Sequence, residues 1–309
     1  MPRLHHRFRA MGTICDVVVD APDEWVGREA LAAGEGEVLR LQARYTRYRD
    51  DSITSAINRS AGDDAGIEVD DETAALLDYA AVAWRESGGL FDISSGVLRK
   101  AWDFRSQQLP DQAQIDALLP LVGWQRVIWQ RPRLVLPQQG MQLDFGGYVK
   151  EYAADAAAAR CQSVGARHGY VDLGGDIRVI GPQANGDAWR IGIRDPRAPE
   201  RAIAVVELAS GGIATSGDYE RCMIVGGRRY SHLLDPRSGW PVDGHASVSV
   251  VAPQSLIAGT ATTTALLMGG EPGAAWLRAL GLPYLLVDQQ GKMSGSLTRL
   301  PNGGPVGVL

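Results

Sequence analysis

Residues 231–246 read S-H-L-L-D-P-R-S-G-W-P-V-D-G-H-A and place one histidine, His232, shortly before an Asp-Pro turn. Glycine and proline interrupt regular structure here, so we expect His232 to end a strand and Asp235 to lie at the turn. An imidazole can take or give a proton near neutral pH, and a neighbouring carboxylate can tune that exchange. The stretch therefore predicts a loop that builds a site. The alternative is a turn histidine whose ring only satisfies a hydrogen bond.

Glycine pairs recur where the sequence pattern changes between strand and helix. They lie at 88–89, 146–147, 174–175 and 211–212. Glycine lets the backbone approach a ligand closely and point its N–H groups at it, which suits a phosphate. Ordinary turn formation is the alternative for each pair taken alone. Neither G-x-G-x-x-G nor a P-loop motif is present, which argues against those nucleotide sites.

Four polar side chains near these glycines are candidates for ligand contact. Lys150 follows the second glycine pair at the start of an expected helix, where a cation and free amides could meet a phosphate. Thr215 and Ser216 offer hydroxyls, although Ser216 could instead be a helix N-cap. Asp92 could accept a hydrogen bond from a heterocycle with Phe91 packed nearby, or it could cap the next helix.

The hydrophobic pattern predicts an α+β fold with a large, mainly antiparallel mixed sheet flanked by helices. Helical spacing is clearest over 24–45, 70–87 and 147–164, and short β-rich segments dominate beyond residue 164. Helices and strands do not alternate regularly, which disfavours a parallel βαβ sheet. We expect residues 1–309 to form a single domain. Further predicted elements are a strand at 13–19, a short helix ending at 58, a hairpin at 126–136, and helices near 115–119, 261–268 and 274–280.

Composition limits the function classes. The 309 residues are 45% hydrophobic and 22% charged, enough for a sizeable core, and the formal net charge of −5 argues against a nucleic-acid partner. Three widely spaced cysteines predict neither a disulfide framework nor a zinc site. There is no run of ~18 apolar residues as in a membrane span and no apolar signal region or lipobox cysteine at the start. We therefore expect a cytoplasmic protein without a membrane span.

Read together, these segments resemble the ApbE family of flavin transferases, also called FAD:protein FMN transferases. Eight motifs follow one another in the family's order. They are A-M-G-T at 10–13, Y-x-x-D-S at 48–52, G-G-x-F-D at 88–92, L-D-x-G-G-x-x-K-x-Y-A-x-D at 143–155, L-G-G-D-I at 173–177, I-G-I-x-D-P at 191–196, A-T-S-G-x-Y-E-R at 214–221 and S-H-x-x-D-P-x-x-G-x-P-V at 231–242.

The resemblance implies an ApbE-like fold with T-fold-like halves and FAD as the substrate. It also implies Mg²⁺-assisted transfer of FMN from FAD to a Thr or Ser hydroxyl of an acceptor protein, with release of AMP. His232 and Lys150 would be catalytic. The residues expected to bind FAD are Met11, Tyr48, Leu90, Phe91, Asp92, Lys150, Thr215, Ser216 and His232.

One departure from the family pattern concerns the metal. The family combines a backbone carbonyl at the position of Val149 with Asp and Thr from an A-D-A-x-x-T helix start. Here that element reads A-G-T-A-T-T, so Thr263 is kept and Gly259 stands at the Asp position. Losing a carboxylate should weaken binding of a hard cation. If the site is otherwise the family's own, Gly259→Asp should strengthen the response to Mg²⁺.

Three explanations of this departure are open. Glu151, which stands where many relatives have glycine, could supply the charge. Mg²⁺ could bind mainly through the pyrophosphate. In the third explanation the protein holds FAD without transferring it, as a non-catalytic FAD-binding protein or flavin carrier. A further alternative to transfer is an FAD pyrophosphatase giving FMN and AMP, which would use the same site with water as the acceptor.

Overall fold

The structure is a computed structural model, and it describes residues 1–198, 200–297 and 306–308. The helices are α1 (Glu24–Tyr45), α2 (Ile53–Arg59), α3 (Asp71–Glu86), α4 (Gln112–Leu118), α5 (Val149–Ser163), α6 (Ser255–Met268) and α7 (Gly270–Leu280). The strands are β1 (Arg3–Ala10), β2 (Thr13–Asp20), β3 (Ile67–Glu68), β4 (Ile128–Gln130), β5 (Arg133–Val135), β6 (His168–Leu173), β7 (Asp176–Gly181), β8 (Trp189–Arg194), β9 (Ala202–Leu208), β10 (Gly212–Gly217), β11 (Cys222–Val225), β12 (Arg228–Ser231), β13 (Ser247–Ala252), β14 (Tyr284–Val287), β15 (Met293–Gly295) and β16 (Val306–Val308).

A large antiparallel sheet forms the centre of the fold. In the described part of the chain it contains eight strands in the order β1-β2-β6-β7-β10-β13-β14-β15. Each neighbouring pair in this order runs antiparallel. The smaller sheet β16-β9-β8 includes a parallel pairing, of β16 with β9. The predicted α+β class with a large, mainly antiparallel sheet is confirmed.

The two faces of the large sheet are covered differently. Helices α1, α5 and α6 pack on one face, with α1 and α5 against β1, β2, β6 and β7, and α6 against β10 and β13. Strands β8 and β9 cover the other face. Alternation along β2 shows this division, because Val17 and Val19 join the core under α1 and α5 while Val18 joins the core under β8 and β9.

Side-chain caps explain why several helices begin where the sequence predicts. Asp23, Ser52 and Asp70 each accept a hydrogen bond from a backbone N–H of the first turn of α1, α2 and α3. The predicted hairpin at 126–136 is the antiparallel pair of β4 and β5. Over the residues that the structure describes, none of the helices is both long and apolar enough to cross a membrane.

Strand β1 is the main element that the sequence pattern does not predict. Its residues R-L-H-H-R-F-R-A alternate between an exposed basic face and a partly buried face that carries Leu4 and Phe8. Charges on an edge strand discourage pairing with another chain. The same charges give the sequence of β1 the composition of a polar segment, so its alternation does not stand out. Helix α6 begins six residues before the predicted start, because its apolar and small residues are buried all round.

The start of α6 depends on a side chain from a neighbouring helix. Asp155 of α5 accepts hydrogen bonds from the backbone N–H groups of Ser255 and Leu256, each at 2.9 Å. Burial raises the pKa of the Asp155 carboxyl. The two bonds fix α6 against α5, and α6 carries both Gly259 and Thr263.

We expect Asp155→Ala to lower the free energy of unfolding by about 2–3 kcal/mol, because it leaves two amides at a helix start without their charged acceptor. Asp155→Asn keeps one acceptor oxygen and should lose about half as much. Urea unfolding followed by circular dichroism measures both changes. Equal stability of Asp155→Ala and the wild type would show that the two bonds do not hold α6.

Candidate functional site

A tight turn leads from residue 144 into α5 and places Lys150 and Glu151 in its first turn. Residues Phe145–Gly147 form a 3₁₀ turn, and Asp144 accepts a hydrogen bond from the Gly146 N–H at 2.8 Å. Within the described residues no side chain caps the start of α5. Uncapped amides at a helix N-terminus favour an anion.

Lys150 points to the adjacent end of the large sheet. Its Nζ forms an ion pair with Asp176, the first residue of β7, and donates a hydrogen bond to the Leu173 carbonyl at 3.2 Å. The Asp176 side chain is only 5% exposed and the Lys150 side chain is 27% exposed. Gly174 makes the intervening turn, with a φ of +70°, and a Cβ there would lie 2.3 Å from Thr13 Oγ1. The glycine pair at 174–175 thus brings Asp176 to Lys150 by turn geometry.

Hydroxyl groups from β10 and α6 lie beside this ion pair. The Thr215 N–H donates a hydrogen bond to Asp176 at 3.3 Å. Ser216 Oγ is 2.8 Å from Thr262 Oγ1 and 3.3 Å from Thr263 Oγ1. Ser216 lies inside β10, so the alternative that it is a helix N-cap is wrong.

Glu151 and Gly259 are in direct contact between α5 and α6. A Cβ built on Gly259 would lie 2.5 Å from Glu151 Cγ and 2.8 Å from both Cδ and Oε1. Thr262 Oγ1 donates a hydrogen bond to the Gly259 carbonyl at 2.8 Å. The Glu151 side chain therefore fills the space above Gly259. We refer to these groups as the carboxylate–hydroxyl cluster, which consists of Lys150, Glu151, Asp176, Thr215, Ser216, Gly259, Thr262 and Thr263.

His232 follows β12, and Asp235 lies at the next turn, as expected. The Arg221 carbonyl lies 3.1 Å from His232 Nδ1. A carbonyl oxygen only accepts hydrogen bonds, so Nδ1 carries the proton and Nε2 keeps its lone pair. Burial, followed by the nearby guanidinium groups of Arg99 and Arg221, lowers the pKa of His232 to about 4. The ring is therefore neutral at pH 7, with an oriented acceptor nitrogen.

Three arginines lie near His232, and two of them, Arg47 and Arg99, flank Tyr48 and Asp144. Arg47 Nη1 and Arg99 Nε lie 3.3 and 3.9 Å from Asp144 Oδ2. Arg47 donates a hydrogen bond to the Tyr48 hydroxyl at 3.1 Å, which lowers the pKa of that tyrosine. Burial is the main cause that lowers the pKa of Arg99, and the charges of Arg47 and Arg221 act in the same direction. We call Arg47, Arg99 and Arg221 the arginine cluster.

The arginine cluster has an excess of positive charge, since Arg47 and Arg99 share one carboxylate, Asp144, and the charge of Arg221 also acts on Arg99. Such an arrangement favours an anionic ligand. No pattern in the sequence predicts this cluster. Arg221 belongs to a quoted motif, but the other two come from distant segments and have no local pattern in common.

Met11 lies in the two-residue turn between β1 and β2. Its φ is +50° and that of Gly12 is +75°, and its N–H donates a hydrogen bond to Gln42. A non-glycine residue with positive φ is uncommon and is often found at ligand sites. A Cβ on Gly12 would lie 3.3 Å from Arg221 Nη2, so this turn borders the arginine cluster.

Leu90, Phe91 and Asp92 are buried, and Phe91 packs against Tyr148, the residue before α5. The ring centroid of Phe91 lies 6.0 Å from that of Tyr148, in an edge-to-face arrangement. Asp92 Oδ1 accepts a hydrogen bond from the Ser94 N–H at 2.8 Å, and Oδ2 accepts one from the Trp124 N–H at 2.9 Å. Asp92 thus caps the 3₁₀ helix Ile93–Lys100, the alternative considered for it.

The structure brings the predicted residues into two groups. Residues 144–150 join them, and we call this segment, which ends in the first turn of α5, the 144–150 turn. Lys150, Thr215, Ser216, Gly259 and Thr263 meet in the carboxylate–hydroxyl cluster, with Val149 beside Lys150 at the start of α5. Met11, Tyr48 and His232 border the arginine cluster. Leu90, Phe91 and Asp92 lie near the turn through the contact of Phe91 with Tyr148.

Comparison with known protein sequences identifies the same family that the motifs resemble. The profile of the ApbE family matches residues 11–286. The FAD:protein FMN transferase of Klebsiella pneumoniae is 34% identical over 81% of this chain and 79% of its own length. That of Treponema pallidum is 33% identical over 87% of this chain and 79% of its own length. The chain spans about half the length of the Rhodobacter capsulatus relative, 52%, at 29% identity.

Solved structures agree over nearly the whole chain. The ApbE protein of Thermotoga maritima superimposes with a TM-score of 0.88 at 30% identity, covering 96% of this chain and 97% of its own. The flavin transferase ApbE of Vibrio cholerae gives 0.84 at 25% identity, with the same coverage of both chains. Sequence profile, relatives and fold therefore lead to one conclusion: this chain belongs to the ApbE family.

Proposed function

We propose that this protein is an FAD:protein FMN transferase. It would move FMN from FAD to a Thr or Ser hydroxyl of an acceptor protein, with Mg²⁺ as the cofactor and AMP as the second product. The observation that carries the proposal is the pairing of the arginine cluster with the carboxylate–hydroxyl cluster across the 144–150 turn. The first suits the anionic substrate, and the second offers oxygen ligands for a metal.

The proposed reaction exchanges one phosphorus–oxygen bond for another. The acceptor hydroxyl oxygen bonds to the FMN phosphorus, and the bond from that phosphorus to the oxygen of AMP breaks. The hydroxyl proton passes to Nε2 of His232, whose lone pair is free because Nδ1 faces the Arg221 carbonyl. The proton then leaves with the AMP phosphate. FAD and a hydroxyl thus give a phosphate ester and AMP, with all atoms accounted for.

Charge neutralisation explains the other predicted residues. Lys150 and the uncapped amides of α5 would stabilise negative charge on the phosphoryl oxygens. Mg²⁺, when bound, would act as a Lewis acid on the same oxygens. Thr263 and the Val149 carbonyl would help to hold it, and the structure fits such an ion because a buried carboxylate oxygen of Glu151 has no hydrogen-bond partner among the described residues.

The remaining predicted residues would bind the substrate. Met11 and Tyr48 border the arginine cluster, and the ring of Tyr48, which is 80% exposed although its hydroxyl binds Arg47, would lie against a ring of the substrate. Leu90 and Phe91 would form an apolar wall, with Asp92 holding the backbone beneath them through its two capping bonds. The acceptor protein and the cytoplasmic location stay predictions from the sequence.

The experiment that tests the proposal is incubation of the purified protein with FAD, Mg²⁺ and a peptide carrying the family's acceptor Thr motif. Intact-mass analysis of the peptide should show the addition of one FMN, and chromatography should show an equal amount of AMP. FMN and AMP without a modified peptide would favour the pyrophosphatase alternative. FAD that binds and stays intact would favour the flavin-carrier alternative, and either result would contradict the proposal.

A further inference from the structure

Glu151 on α5 occupies the space that a side chain at position 259 of α6 would need. The distance of 2.5 Å from a Cβ at Gly259 to Glu151 Cγ leaves no room for both side chains as they stand. The glycine on one helix and the long acidic side chain on the other are therefore complementary in shape. A carboxylate is present at this helix contact, but α5 supplies it instead of α6.

The Glu151 carboxylate is buried and incompletely satisfied. Its side chain is 9% exposed, and Oε1 lies 3.9 Å from Lys150 Nζ. Across the residues described here, Oε2 has no hydrogen-bond partner. An unpaired buried carboxylate oxygen is costly, so its presence indicates a ligand that carries positive charge or donates a hydrogen bond.

Lys150 does not neutralise this carboxylate, because its Nζ is already paired with Asp176. The cluster therefore holds one ammonium group and two buried carboxylates, which leaves it a net negative charge. On α6, Thr263 lies four residues after Gly259, so both positions face the same side of the helix. Hydroxyl and carboxylate oxygens together form the hard donor set that Mg²⁺ prefers.

We propose that Glu151 supplies the carboxylate ligand of the metal, in place of the aspartate that position 259 lacks. The proposal rests on the proposed function for the identity of the metal. Thr263 would contribute its hydroxyl from α6. In the described residues no three His, Cys, Asp or Glu side chains gather as a metal site, so the other ligands would be hydroxyl, carbonyl or substrate oxygens.

Because the carboxylate comes from α5 and not from α6, the expected effect of Gly259→Asp changes. An aspartate added opposite Glu151 must displace that side chain, and it sets a second carboxylate beside the first. Gly259→Asp alone should therefore destabilise the fold and not strengthen metal binding, contrary to the expectation from the sequence. The double variant Glu151→Gly with Gly259→Asp moves the carboxylate back to α6 and removes the steric conflict.

Metal binding without FAD or acceptor tests this inference directly. Titration of the purified protein with Mn²⁺, followed by electron paramagnetic resonance, should show affinity reduced by at least roughly 10–100-fold in Glu151→Gln, because losing a group that only orients a ligand already has an effect of that size. The double variant should recover affinity to within about threefold of the wild type, since one carboxylate is again present. Glu37→Gln, which removes a similarly buried carboxylate paired with Arg40 on α1, is the matched control and should bind Mn²⁺ like the wild type.

Thermal unfolding of each variant separates loss of a ligand from loss of the fold. Unchanged Mn²⁺ affinity in folded Glu151→Gln would overturn the assignment. So would a wild-type protein that binds Mn²⁺ only when FAD is present. Either result leaves FMN transfer itself standing. Conversely, Glu151-dependent Mn²⁺ binding in a protein that transfers no FMN would support this inference and contradict the proposed function.

Discussion

Replacing His232 with alanine is expected to reduce FMN transfer by about 10²–10⁴-fold, the usual contribution of a positioned general base, while FAD still binds. The reason is geometric: the Arg221 carbonyl fixes the proton on Nδ1 and leaves Nε2 as the acceptor. Transfer is measured by the mass of the acceptor peptide, and FAD binding by quenching of flavin fluorescence. The arginine cluster is unchanged in the variant, so the affinity for FAD should change little.

The matched control for this variant is His245→Ala. His245 belongs to the same 231–246 stretch, but its Nε2 lies 2.9 Å from the Gly270 carbonyl and is occupied there. This control should transfer FMN at the wild-type rate. Transfer at the wild-type rate by His232→Ala would remove His232 from the mechanism.

Protonation of His232 makes the free energy of unfolding depend on pH. The pKa of His232 is about 4 in the folded protein, against an ordinary value of 6.5. The unfolded chain therefore binds more protons between these values, and folding stability falls as the pH decreases from 6.5 towards 4. His232→Ala should remove this part of the decrease, which thermal unfolding of both proteins across that range would show.

Local signals in the sequence predicted the helices well. Helix α1 occupies the predicted residues 24–45, because Asp23 caps its start and apolar residues follow at helical spacing. The pattern predicted β2 to within a residue but missed β1, since the basic face of an edge strand hides its alternation. Helix α6 was predicted too short because burial on all sides removes the amphipathic signal.

The candidate site was predictable where one motif carries several of its residues. Lys150 and Val149 share a motif with the glycine turn, and Thr215 and Ser216 share another. Contacts between motifs were not predictable, because they depend on how the elements pack. Asp176 reaches Lys150 through the turn at 174–175 together with the pairing of β7 with β6 and β10 beside α5.

The arginine cluster was also not predictable, because it depends on contacts between distant segments. Arg47 follows α1, Arg99 lies in a 3₁₀ helix, and Arg221 follows β10, so chain topology alone brings them together. The effect of Arg99 and Arg221 on the pKa of His232 could not be inferred from any one segment. Glu151 is an intermediate case. Its residue type departs from the family motif in the sequence, but only the packing of α5 on α6 shows that it fills the space above Gly259.

Lys150→Met is expected to lower the free energy of unfolding by roughly 2–4 kcal/mol and to abolish transfer. Removing one partner of a buried ion pair leaves an uncompensated charge, and the loss stays below the full cost for a buried pair because the Lys150 side chain is 27% exposed. Asp176 would keep the hydrogen bond from the Thr215 N–H but lose its cation. Urea unfolding gives the change in stability, and peptide mass gives transfer.

Combining Lys150→Met with Asp176→Asn separates the two roles of the lysine. The neutral amide retains an oxygen that can accept from the Thr215 N–H, and neither partner then carries a buried charge, so most of the lost stability should return. Transfer should stay absent, because the cation expected to stabilise the phosphoryl oxygens is still missing. Recovery of both properties in the double variant would mean that Lys150 serves the fold alone. Recovery of stability without transfer would assign the Lys150–Asp176 pair to the reaction as well, because the folded scaffold would then be intact and only the ammonium and the carboxylate of that pair would differ from the wild type.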